Sequence, residues 1–153
     1  MSDLELLLAQ QPFLKGMDAK FLKTLEESAS LCDFKPGKFI FRQNQDAMGF
    51  YLILEGKVDV EWFSSAGGPV VVQSLGAGEV LGWSWLVPPF HWRMDARALQ
   101  SCRLILFDGK TLLKRMEENH DLGYELLKRF LFIVTQRLDA ARLEILSLHG
   151  THT

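Results

Sequence analysis

Between Cys32 and Phe107 the chain turns every few residues, and no stretch in that interval is long enough to carry a helical crossover. Parallel strands need such crossovers, so whatever sheet forms here is antiparallel. CDFKPGKFIFRQ alternates apolar and polar residues around Pro36-Gly37, and FYLILEGKVDVEWF continues the alternation with a break at Gly56. SSAGGP (64–69) precedes VVVQSL, GAGEVLG follows, and SCRLILF (101–107) closes the region. Period-2 runs bounded by Gly-rich turns read as strands, and the turns at Pro36-Gly37 and Gly56 read as hairpin turns. About eight short strands of this kind predict a double-stranded β-helix, or jelly-roll barrel, over 32–107.

Helices flank this region. In 12–30, PFLKGMDAKFLKTLEESAS, apolar residues recur at spacings of three and four, which predicts one helix or two short ones with Asp18 capping the second. Asp108 is placed to cap a further helix, and Asn119 to stop it. Beyond it, Tyr124, Leu127, Leu131, Val134, Leu138, Ala141, Ile145 and Leu148 follow one another at alternating gaps of three and four, an unbroken heptad seam. A helix needs such a seam to meet a partner helix along its length, so residues 108–149 are expected to hold a short helix and a long dimer-forming one that Gly150 ends. Phe130, Ile133 and Phe132 lie off the seam and are expected to face the barrel.

At 153 residues the chain suits one domain built on one core. A net charge of −2 gives no electrostatic reason to expect nucleic acid as a partner. Cys32 and Cys102 stand apart at neither metal nor redox spacing, so both are expected as free, buried thiols in a reducing compartment. The acidic start MSDLELLLAQQ is unlike a signal peptide, and no apolar run approaches the ~20 residues a membrane helix needs. A cytoplasmic location is expected. His91, His120, His149 and His152 form no cluster with other ligands, and no nucleophile-base spacing stands out. Neither a metal site nor an enzyme is expected.

The order of elements, with PFLKGM, FKPGKFIFRQ, FYLILEGKVDV and LGAGEVLG, resembles the cyclic-nucleotide-binding domain, the effector domain of Crp/Fnr regulators, over roughly residues 12–148. The resemblance implies a phosphate-binding cassette at 76–98. In that family the cassette glycine is followed by a glutamate that accepts from the ribose hydroxyl, and an arginine further on pairs with the cyclic phosphate. Here Gly82 is the cassette glycine and Trp83 stands in the glutamate's place. Counted back from Ala98, Trp92 takes the arginine's place; Arg93, one residue off, serves only if the turn at 87–90 absorbs the shift. Glu79 corresponds to a turn residue that points to solvent.

A hydrogen bond to a charged group contributes about 1.5–3 kcal/mol, so loss of both groups weakens an ordinary cyclic nucleotide by about two to four powers of ten. The residues expected around a ligand are Leu81, Gly82, Trp83, Ser84, Trp85, Trp92, Arg93 and Met94. The tryptophans either hold a planar or apolar ligand or fill the site themselves, with Phe90. The reading is a homodimeric sensory module that takes cyclic AMP, cyclic GMP or another small effector in the barrel and signals through the C-terminal helix. The alternative is a ligand-free dimeric interaction scaffold with a tryptophan-filled pocket. The helix-turn-helix that follows in the regulators is not within these 153 residues, so this chain is expected not to bind DNA by that route.

Overall fold

The computed structural model describes residues 2–150. Helix α1 (Asp3–Ala9) opens the chain, its first turn capped by Ser2, whose Oγ accepts from the Glu5 amide. The acids of the opening segment thus sit at a helix N-terminus, where the aligned peptide dipoles favour negative charge. A single 3-10 turn, Pro12–Leu14, follows, then helix α2 (Ala19–Glu27), with Asp18 Oδ1 accepting from the Lys20 amide at 2.8 Å. The periodic stretch 12–30 is therefore a turn and one helix, and the first strand begins before Cys32.

Eight strands follow: β1 (Ala29–Phe34), β2 (Phe39–Phe41), β3 (Gly49–Glu55), β4 (Val58–Ser64), β5 (Gly68–Leu75), β6 (Val80–Leu81), β7 (Asp95–Ala98) and β8 (Cys102–Asp108). They form two antiparallel four-stranded sheets, ordered β1-β8-β3-β6 and β2-β7-β4-β5, which is the expected jelly roll. The hairpin reading of two turns is corrected. Pro36-Gly37 joins β1 to β2 and Gly56 joins β3 to β4, and in both cases the two strands lie in different sheets. Only β4 and β5 are consecutive and paired with each other. Alternation reports which residues face inward but not which strand lies alongside, so a corner between sheets looks like a hairpin in sequence.

The core has two parts. Inside the barrel, Phe41, Tyr51, Ile53, Val58, Trp92 and Leu104 pack together. Between the barrel and the helices, Leu8, Leu25, Phe50, Trp85, Phe107 and Phe130 form a second cluster. β3 lies between the two: Phe50 and Leu52 face the helices while Tyr51 and Ile53 face the barrel. Both its faces are covered, so it reads as a continuous apolar run.

Helix α3 (Gly109–Glu118) is capped by Asp108, whose Oδ2 accepts from the Thr111 amide and hydroxyl at 3.0 and 2.6 Å. Asn119 ends it and starts the next, its Oδ1 accepting from the amides of Asp121 and Leu122. Helix α4 (His120–Gly150) has 31 residues, about 46 Å at 1.5 Å per residue. Leu122, Leu126, Phe130 and Ile133 bind it to the core. Phe132, expected to face the barrel, is 63% exposed, because it lies about 100° round the helix from Ile133. From Leu138 to Gly150 every residue is exposed.

Candidate functional site

The segment 76–98 enters the barrel wall through β6, turns at Gly82 with φ +96°, makes a 3-10 turn at Ser84–Leu86 and returns as β7. A cavity of about 80 Å³ remains beside it. Leu81, Gly82, Trp83 and Ser84 line one part of it, and Trp92, Arg93 and Met94 another. Seven of the eight residues expected around a ligand thus meet at one place. Trp85 goes elsewhere. Only 1% exposed, it packs between Phe50 (5.5 Å) and Phe130 (5.7 Å) in the core beneath α4, with its Nε1 unpartnered among the described residues.

Trp92 decides the size of the cavity. Its indole lies flat on Phe41, ring centres 3.7 Å apart and planes at 8°, inside the barrel core. The outer edge of its six-membered ring abuts Gly82, where a Cβ would come within 2.5 Å of the indole. Glycine is needed there twice over: for the left-handed backbone and for the ring. Small-molecule sites span roughly 300–1,000 Å³, so about 80 Å³ is too small for a nucleotide. Arg93 borders the cavity but is itself exposed, and Phe90 is exposed and does not line it. Glu79 is exposed, as expected of a turn residue, and its Oε2 accepts from the Gly76 amide.

Sequence reasoning missed Arg137. This α4 residue reaches back to the cassette, where its Nη2 donates to the Val80 carbonyl and its guanidinium lies 5.2 Å from the Trp83 ring centre. Burial pushes the guanidinium down to about 10, against the opposing pull of Glu79. A cation between Val134 and Leu138 of the heptad seam reads as a solvated position, and only the half-buried environment marks it. Arg129, one face away, donates from Nη1 to the carbonyls of Phe13 and Lys15 at 2.8 and 3.0 Å.

Cys32 and Cys102 are both free, the first half-buried and the second buried, and in both burial pushes the thiol up. The barrel histidine, His91, pairs at 3.2 Å with Asp46 on the surface; His152 lies outside the described residues. Arg97 meets Glu61 at 3.3 Å, while Asp95 accepts from the Gln43 amide and approaches Arg42 at 3.6 Å.

The cyclic nucleotide-binding domain profile matches residues 31–119, more than half the chain. The chain belongs to the cyclic nucleotide-binding domain family. Among solved structures, a Geobacter metallireducens protein described as cyclic nucleotide-binding is 30% identical, with a TM-score of 0.78, over 90% of this chain and 99% of that one. The sensor domain of the transcriptional regulator DNR from Pseudomonas aeruginosa superposes with a TM-score of 0.72 at 21% identity, covering 88% of this chain and 91% of that one. The regulatory subunit of a cAMP-independent protein kinase A from Trypanosoma brucei gives 0.66 at 26% identity, over 80% of this chain and 44% of that one. A search of curated protein sequences returns no match. This cyclic nucleotide-binding domain has the fold of the Crp/Fnr sensor domains, and no helix among its described residues is long and apolar enough to cross a membrane.

Proposed function

We propose that the chain is a regulatory sensor module of the Crp/Fnr type that is closed to ordinary cyclic nucleotides and dimerises through α4. One observation carries this reading: Trp92, stacked on Phe41 and pressed against Gly82, occupies the space beside the cassette. The glutamate and arginine that would hold ribose and phosphate are absent from their places, so nothing in the cassette compensates for displacing the indole. The Trypanosoma kinase subunit is a related protein that belongs to a cAMP-independent kinase.

The dimer rests on the exposure of the seam in the single chain. Tyr124, Leu127, Leu131, Leu138, Ile145 and Leu148 are 48–66% exposed, with Leu143 and Leu146 beside them at 67% and 65%. Monomeric proteins rarely leave so continuous an apolar stripe uncovered. Val134 is partly buried and Ala141 exposed along the same seam.

Thermal unfolding with cyclic AMP and cyclic GMP tests the closed cassette. At 100-fold above its Kd a ligand stabilises by about 2.7 kcal/mol, roughly 5–10 °C for a domain of this size. No shift is expected from either nucleotide at 1 mM; a saturating shift of that size overturns the reading. Sedimentation equilibrium tests the seam, where a dimer is expected to become a monomer in the double variant Leu131→Glu, Leu138→Glu. The alternative, a ligand-free scaffold, draws on the same filled cavity and on the exposed Trp62 and Phe63 of the β4–β5 hairpin. It separates from the sensor reading by whether any bound small molecule changes hydrogen exchange in α4.

A further inference from the structure

A second hollow lies on the other side of β6, a cleft of about 570 Å³ between α4, the Pro12–Leu14 turn and the turn that leads into β6. We propose that this cleft is a binding site for a compact organic anion with an aromatic or apolar body. Its volume falls within the range of small-molecule sites. Phe13, Phe132 and Ile133 give it apolar walls, and Arg137 gives it positive charge.

The cleft is held open by its own framework. Arg129 ties α4 to the carbonyls of Phe13 and Lys15, and Arg137 ties it to the carbonyl of Val80, so two arginines of one helix fix opposite walls. Their remaining partners differ. Arg129 and Lys128 both reach Glu125, at 3.4 and 3.3 Å, which offsets much of their charge. Arg137 forms no direct ion pair among the described residues; the one carboxylate in the cleft wall, Glu79, accepts from the Gly76 amide and acts on the guanidinium only from beyond salt-bridge distance. A half-buried guanidinium with one donor committed to a carbonyl keeps others for a ligand, and an anion there regains the energy that desolvation costs the cation.

Phe132 adds an exposed aromatic face beside these cations, at a position the core does not use. The heptad seam lies on the opposite flank of the buried stripe of α4, since Phe132 and Gln136 fall on one side of Leu126 and Phe130 and Leu131 and Leu138 on the other. A dimer formed through the seam leaves the cleft open. Arg137 lines both the cleft and the cassette cavity, so a ligand held there touches α4 and the cassette strand together. The inference goes beyond the closed cassette and does not depend on it.

The test uses 2-naphthoate as probe and its neutral isostere 2-naphthamide as control, titrated calorimetrically into the full chain. Saturable binding of one naphthoate per chain is expected, with naphthamide about tenfold or more weaker because a charge-assisted hydrogen bond is lost. Phe132→Ala, at an exposed position that leaves the fold intact, and Arg137→Gln each weaken naphthoate about tenfold. Arg93→Gln, which borders only the cassette cavity, leaves it unchanged. Absence of saturable binding at millimolar naphthoate, equal affinity for the two probes, or insensitivity to Phe132→Ala in a folded variant overturns the proposal. Loss on Arg93→Gln with Phe132→Ala unaffected places the probe in the cassette, and overturns both the cleft and the closed-cassette reading.

Discussion

Replacing Trp92 by alanine tests most directly whether the cassette is filled by design. The indole is 4% exposed, is stacked face to face on Phe41 and has Gly82 against its ring edge, so its removal leaves a void that the backbone at φ +96° is poorly placed to close. Truncating a buried tryptophan to alanine costs about 3–5 kcal/mol, of which the stacked pair accounts for about 0.5–1.5 kcal/mol. Against a total stability of roughly 5–15 kcal/mol this is a large fraction. Urea unfolding at fixed protein concentration, followed by circular dichroism, should show the midpoint falling at nearly constant slope. Trp62→Ala supplies the control, since that indole is 48% exposed on the β4–β5 hairpin and its loss is expected to cost under about 1 kcal/mol. If Trp92→Ala costs no more than Trp62→Ala, the indole does not hold the barrel together, and the argument from a filled site fails.

Three further outcomes follow from the same geometry. Gly82→Ala adds a Cβ 2.5 Å from the Trp92 ring at a left-handed position, so the backbone penalty of about 1–2 kcal/mol and overpacking of about 1–3 kcal/mol should together lower the unfolding midpoint; an unchanged midpoint contradicts the close approach. Asp108→Ala removes the α3 cap and is expected to cost about 1 kcal/mol near neutral pH. The Thr111 hydroxyl and amide hold the Asp108 carboxyl below its ordinary value of 3.8, so its contribution is full above that pH and lost as pH falls through the lower folded value; a difference between variant and parent that persists unchanged in strong acid refutes this assignment. Burial, aided by Cys32, pushes the Tyr51 phenol up to about 12 from 10. Stability from this group is therefore complete below pH 10 and declines from there to about pH 12, and an absorbance titration showing Tyr51 ionised at pH 10 in the folded chain contradicts its burial.

Local chemistry made much of this protein legible without coordinates. Alternation and glycine spacing specify antiparallel strands without crossovers, Asp18 and Asp108 announce helix starts because a carboxylate before an amphipathic run accepts orphan amides, and Trp83 and Trp92 stand out in the linear text at the places where the resemblance implies polar residues. These features depend on a residue and its near neighbours alone. Strand partnership was not legible: the same alternation serves a hairpin and a corner, and long-range packing put β1 beside β8 and β3 beside β6. Nor was the fate of the tryptophans, seven residues apart and chemically identical, of which Trp85 was drawn beneath α4 and Trp92 into the barrel by the apolar surfaces each turn faced. Arg137 shows the limit most clearly. Its place in the heptad marks it as a solvated charge, and only the approach of α4 to the carbonyl of Val80 and the ring of Trp83 makes it a desolvated cation facing two cavities, because burial and its electrostatic consequences belong to contacts between segments far apart in the chain.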